Sequence, residues 1–287
     1  MTITPAGSAQ ALAAALRHDD PSALGALLDD LPADSPPLVP MAVLAKAHRS
    51  LDLLLSRGFS ANETRVDRLA GLHLVNDAKM VRTLVAAGGD VNLASPSGTP
   101  LHLAAANASP PVIKALLDAG ADPNATHERH PTIVTPLEVA CELGRTMAVK
   151  ALLARPPAHA TCFFLTAGFV TRKGKKALAV LDLLLAAFGA DIEPPAGYDF
   201  LLHIASKAGC LDGVERLLAH GATVDRPDRE GRTAALLAIH TAFAGLFPRP
   251  EHVEVFRRLA AAGANLDQRF GNVTPRQLAR QHGITLP

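Results

Sequence analysis

One phrase recurs along this chain of 287 residues and limits what it can become. A Leu/Ala run ends in glycine and a polar turn: LLSRGFSAN at 54–62, LVAAGGDVN at 84–92 and LLDAGADPN at 116–124. It returns as LLAAFGADIE at 184–193, LLAHGATVD at 217–225 and LAAAGANLD at 259–267. The glycines are Gly58, Gly88, Gly120, Gly189, Gly221 and Gly263, with gaps of 30, 32, 69, 32 and 42 residues. The gap of 69 holds one further copy, whose second helix, MAVKALLARP at 147–156, stops on proline. A second phrase recurs in phase: GLHLV at 71–75, TPLHLAA at 99–105, TPLEVAC at 135–141, LLHIAS at 201–206 and TPRQLA at 274–279. Each unit reads as two short helices with one apolar face apiece. Such helices do not stand alone in water, so the units must stack on one another.

The unit at 98–124 shows the logic most clearly. Thr99 suits an N-cap and Pro100 the first helical position, where a missing N–H costs nothing. Leu101, Ala104 and Ala105 share one face of the first helix. The second helix starts near Pro111, with Val112, Leu116 and Leu117 at helical spacing. Gly120 ends it by taking a left-handed conformation.

These two motifs resemble the ankyrin repeat, with its T-P-L-H opening and G-A-D-x-N close, over roughly residues 36–283. The resemblance implies an all-α solenoid of stacked helix pairs with β-turn or hairpin fingers. Residues 1–35 then form an N-terminal helical cap. Residues 36–283 form the solenoid of about seven units, some degenerate and the last truncated, and 284–287 a tail. It also makes Thr99, Pro100, Leu101, His102, Gly120, Thr135, Pro136, His203, Gly221, Gly263, Thr274 and Pro275 structural. His102, His203 and His73 stand at the His position of the signature and bridge adjacent repeats. Glu138 replaces that His in its unit.

Several departures stand out. The link Pro32–Pro40, with four prolines, reads as extended. The unit around Gly71–Asn92 is compressed by close to one helical turn. In the next irregular unit CFFLTAGFV at 162–170 serves as the first helix, followed by a basic connection, Arg172, Lys173, Lys175 and Lys176 around Gly174. An insertion at 245–250 (GLFPRP) reads either as a lid on the core or as a hydrophobic anchor.

The 28 basic and 27 acidic residues nearly cancel, and aromatics make up 4% of the chain. Neither a nucleic-acid surface nor a membrane surface is called for. The N-terminus MTITPAGSAQ lacks a signal-peptide pattern. Cys141, Cys162 and Cys210, odd in number, read as reduced thiols of a cytoplasmic protein. The Ala/Leu/Arg/Pro-rich, lysine-poor composition resembles that of a bacterium with a GC-rich genome.

No G-x-S-x-G, Gly-rich phosphate loop or Cys-x-x-Cys is present, and His127, Glu128 and His130 lack the HExxH spacing. Asp90, Asp122, Asp191, Asp225 and Asp267 recur as turn residues. The expectation is a non-enzymatic scaffold without cofactor or metal, monomeric on its own, that binds another protein. Candidate contacts lie on the fingers: His127, Glu128, Arg129, His130, Tyr198, Arg229, Arg232 and Arg269. The role stays open between a regulator, a bacterial effector and a toxin-neutralising immunity protein, with a structural spacer as the remote alternative.

Overall fold

The computed structural model describes residues 5–31, 35–107, 109–129, 132–155, 166–172, 174–191, 194, 198–245 and 247–285. The chain divides into two compact units, Met1–Arg155 and Pro156–Pro287.

The first unit is a succession of helix pairs: α1 (Pro5–Arg17) with α2 (Pro21–Leu28), α3 (Leu38–Leu44) with α4 (His48–Ser56), and α5 (Gly71–Leu74) with α6 (Ala78–Ala86). Then come α7 (Pro100–Asn107) with α8 (Pro110–Asp118), and α9 (Pro136–Glu142) with α10 (Thr146–Leu152). The first helices α1, α3, α5, α7 and α9 pack in order; α2 packs on α4, and α6, α8 and α10 form a second row. Leu51, Leu54, Met80, Leu84 and Leu116, all from second helices, are fully buried between the rows. The compression at Gly71 falls on the first helix, because α5 has only four residues. The proline link is shorter than its composition suggests. The helix already begins at Leu38 and takes Pro40 into its first turn, where no N–H is needed. The free Val39 N–H finds Glu63 Oε2 at 3.0 Å.

In the second unit, residues 166–170 are helical (α11), and 162–165 lie outside the described residues. Next come α12 (Lys175–Phe188), α13 (Leu201–Lys207), α14 (Leu211–Ala219), α15 (Ala234–Ala242), α16 (Pro250–Ala261) and the closing α17 (Pro275–Gln281). Here α13, α15 and α17 form one row and α12, α14 and α16 the other. Gly213 is dictated by a close approach: a Cβ there would lie 1.9 Å from the Val170 carbonyl oxygen.

Regular hairpin fingers do not form at every junction. Among the described residues one two-stranded antiparallel ladder exists, β1 (His127–Arg129) with β2 (Thr132–Val134), in the register His127↔Val134. Three other junctions hold only isolated bridges, Thr64↔Ala70, Ser95↔Gly98 and Phe270↔Val273. Length is the reason. A stretch such as 95–98 turns within four residues, and a single bridge exhausts its backbone partners.

Between repeats the turns are tied by side-chain amides. Asn92 Nδ2 donates to the Gly120 carbonyl at 3.3 Å, and the Asp122 N–H donates to Asn92 Oδ1 at 2.8 Å. Asn62 does the same to Gly88 and Asp90, at 3.1 and 2.7 Å. Asp225 keeps the accepting half toward the Asn265 N–H at 2.8 Å. The Asn92→Ala variant loses both bonds and is expected to be less stable by about 1–2 kcal/mol. Urea unfolding followed by circular dichroism measures this, and an unchanged midpoint would show the amide ladder to be energetically idle.

Candidate functional site

The site grows from the third residue of each first helix. In α7 that residue is His102, buried beneath the following finger. The Thr99 N–H donates to His102 Nδ1 at 3.2 Å, and the Thr99 hydroxyl lies 2.9 Å from the same nitrogen. A backbone donor aimed at Nδ1 leaves the ring proton on Nε2, which donates to the Val134 carbonyl of the next repeat at 3.1 Å. His73 repeats this arrangement, accepting from the Ala70 N–H at 3.2 Å and reaching the Leu93 carbonyl at 3.0 Å. His203 keeps the outer bond, to the Arg232 carbonyl at 3.1 Å, while its Nδ1 has no hydrogen-bond partner among the described residues.

Where no such bridge is made, the residue type changes. Glu138 Oε2 accepts the Thr135 N–H at 2.6 Å while Thr135 Oγ1 accepts the Glu138 N–H at 3.3 Å. Thr274 and Gln277 form the same reciprocal pair at 2.9 and 3.1 Å. Carboxylate and amide cap their own helix, as in a capping box. Pro136 and Pro275, like Pro100, occupy the first turns.

Burial pushes His73, His102 and His203 below the ordinary 6.5, against the pull of the carbonyls that accept from them. The folded state therefore keeps the three rings neutral after the unfolded chain has protonated. Their contribution is complete above pH 6.5 and is lost as pH falls from there toward the lowered folded values.

Around His102 the first helices and the hairpin leave an open groove of about 390 Å³. Leu103, Ala106, Val139 and Leu143 line its helical side, and Pro96, Ser97, His127 and Val134 its finger side. The His127 ring stands edge-on to His102, with centroids 5.8 Å apart. Glu128 is exposed on the same strand, and Arg129 continues it. His130 lies outside the described residues. Composition did not single out Leu103, Ala106, Val139 or Leu143, although each lies one helical turn or so beyond a signature residue.

The remaining finger residues lie in the second unit. Tyr198 is 49% exposed beside a notch of about 150 Å³ that it shares with Phe200, Pro227, Asp228 and Arg229. The Arg226 guanidinium covers the Phe200 ring at 4.0 Å. Arg229 and Arg269 are exposed, the latter beside Phe270.

Arg232 has a different place from the free finger contact expected of it. Its Nε donates to Asp228 Oδ2 at 2.7 Å, and its Nη1 pairs with Glu230 at 2.7 Å. The Asp228 carboxylate, buried, also accepts the Glu230 and Arg232 N–H groups at 2.9 and 2.8 Å. Burial pushes Asp228 upward, but the Arg232 and Glu230 donors outweigh it and hold the carboxyl below the usual range. Arg232 thus closes its own loop.

Models of the ankyrin-repeat family match this architecture: a three-copy model over residues 39–127 and 68–162, and a many-copy model over 202–248. Together they span more than half of the chain. The chain belongs to the ankyrin-repeat family. It is similar to the crystal structure of the human ASB11 ankyrin repeat domain, at 18% identity over 88% of this chain and 96% of that one, with a TM-score of 0.48. Ankyrin repeats are a non-catalytic scaffold that mediates protein–protein interaction. Among the described residues no group of three or more His, Cys, Asp or Glu is placed to hold a metal. No helix among them is long and apolar enough to cross a membrane.

Two measurements check this ankyrin frame. The urea midpoint of the wild type is expected to fall between pH 7.5 and 5.5. His102→Gln, which keeps the helix cap, should reduce that slope by up to about 1.4 kcal/mol per pH unit. Equal slopes would mean that His102 titrates in the folded state as it does in the unfolded one. Separately, Arg232→Ala strands the buried Asp228 carboxylate and is expected to cost about 2 kcal/mol. Arg269→Ala, with no such partner to strand, should leave thermal unfolding in place.

Proposed function

We propose that this ankyrin protein is a binding scaffold that seats a polypeptide segment of a partner protein in the groove of its first unit. The observation that carries the reading is the groove's composition. Leu103, Ala106, Val139 and Leu143 offer an apolar floor on rigid helices, and Ser97 and His127 offer a polar rim. Apolar centres with polar rims are what protein interfaces use, and a floor built on packed helices needs little ordering to bind. Leu143 is 44% exposed, and Met147 in the same repeat is 61% exposed.

His127, Glu128 and Arg129 stand along one strand of the hairpin, with β-strand alternation between its faces. His127 thereby stands beside the apolar floor, where it sets the register of a bound segment, and Glu128 and Arg129 extend the proposed contact along the hairpin. His130 belongs to the same proposed contact. In the second unit Tyr198, Arg229 and Arg269 extend the finger contacts, while Arg232 supports them from within its loop. The buried cysteines Cys141 and Cys210 suit a reducing, cytoplasmic setting.

Affinity purification from the native cells, comparing wild type with Leu143→Arg and Ala106→Arg, tests the groove. Both variants are expected to keep the wild-type circular dichroism spectrum and to lose the partner by roughly tenfold or more. A partner retained at full strength by both variants would move the binding surface elsewhere.

A further inference from the structure

Turns joining the two helices of a repeat are brief elsewhere: Leu143–Arg145 joins α9 to α10, and Ala208–Cys210 joins α13 to α14. Between α15 and α16 the connection runs from Phe243 to Arg249. Its two aromatic rings behave in opposite ways. Phe243 turns inward and stacks on His282, with centroids 3.8 Å apart and planes 4° from parallel. Phe247 is 81% exposed, while Phe256 on the adjoining α16 is fully buried. The insertion is therefore no lid over the core at Phe247.

Its C-terminal end is fixed without a partner. Pro248 and Pro250 lock their own φ angles and hold the residue before each in extended conformation. Arg249 shows this, with φ −102° and ψ 101°. Its N–H donates to the Ala242 carbonyl at 2.9 Å, which pins the end of the loop to α15. The Arg249 side chain is exposed and makes no ion pair with any described residue. Neighbouring Glu251 is turned toward His252, 3.7 Å from its Nδ1. A phenyl ring and an uncommitted cation thus project together from the pinned end of the connection. Aromatic anchors and arginines carry most of the binding energy at protein interfaces, and pre-ordering reduces what docking costs.

We infer that Phe247 and Arg249, at the C-terminal end of this connection, form a second docking site, for a folded protein that offers an apolar pocket to Phe247 and a carboxylate at the pocket rim to Arg249. The loop sits at the end of α15 opposite the 226–232 finger, about 13 Å away along a helix of nine residues. The loop belongs to the second unit, and the inference stands whether or not the groove of the first unit binds.

The test installs p-benzoylphenylalanine at position 247 of the full chain and irradiates the cells that make it. The expected result is an adduct with one other protein. Mass spectrometry should place the cross-link in an apolar pocket beside an Asp or Glu. Excess wild-type protein should suppress the adduct, whereas excess Phe247→Ser or Arg249→Glu should compete roughly tenfold less well or worse. Phe247→Ser should melt with the wild type, and the groove variant Leu143→Arg should compete fully, so that the two surfaces fail or hold separately. The inference is overturned by no adduct, by an adduct only with a second copy of this chain or with lipid, or by equal competition from Phe247→Ser. A lowered melting temperature for Phe247→Ser would likewise overturn it, because the ring would then be part of the packing.

Discussion

A neutral imidazole at the third position of the first helix is the interaction on which the stacking geometry depends. One nitrogen takes the N–H of the residue that opens the helix, and the other gives its proton to a carbonyl in the next finger. In His102 a single side chain therefore ends one helix correctly and fixes the height of the following repeat above it. Protonation would turn Nδ1 from an acceptor into a donor facing a donor. The arrangement thus needs burial, which keeps the ring neutral. Carboxylates and amides at the same position retain only the capping half, as Glu138 and Gln277 do.

The groove is a by-product of this constraint. With His102 reaching across to Val134, the hairpin is held beside α7 and α9 without filling the space between them. Small and aliphatic residues on the exposed flank of the first helices then line an open channel. Rigid walls and a polar rim come from the same hydrogen bonds that stack the repeats. The stacking of the repeats and the shape of the groove share one set of contacts here, and a substitution at a bridging histidine acts on both.

Charged finger residues divide into two kinds that their side-chain chemistry does not distinguish. Arg232 and Asp228 are consumed inside one loop, where a buried carboxylate gathers three donors. Arg269, a few residues from a bridge of its own, stays at the surface. Both are arginines in polar turns after a repeat ending. The difference arises from whether a carboxylate is brought within reach by the turn, which depends on backbone conformation and not on residue type. The same holds for the two phenylalanines at 243 and 247, one stacked and one projecting.

The repeat phrases were enough to establish helix pairs, their approximate limits and their stacking, because apolar periodicity, caps and glycine stops are local signals with local causes. Gly120 and Gly221 illustrate this: each takes a positive φ, +93° and +83°, at the place where its helix must end. The compressed unit at Gly71 was legible from spacing as well, though not which part had been lost. Only the tertiary structure decided which junction has enough chain to form a ladder, and which arginine is spent within its own loop. It also decided that Leu103, Ala106, Val139 and Leu143, from two different repeats, share one groove. Those outcomes depend on distances between segments some 30 residues or more apart in sequence, which follow from stacking and leave no local mark in the residues themselves.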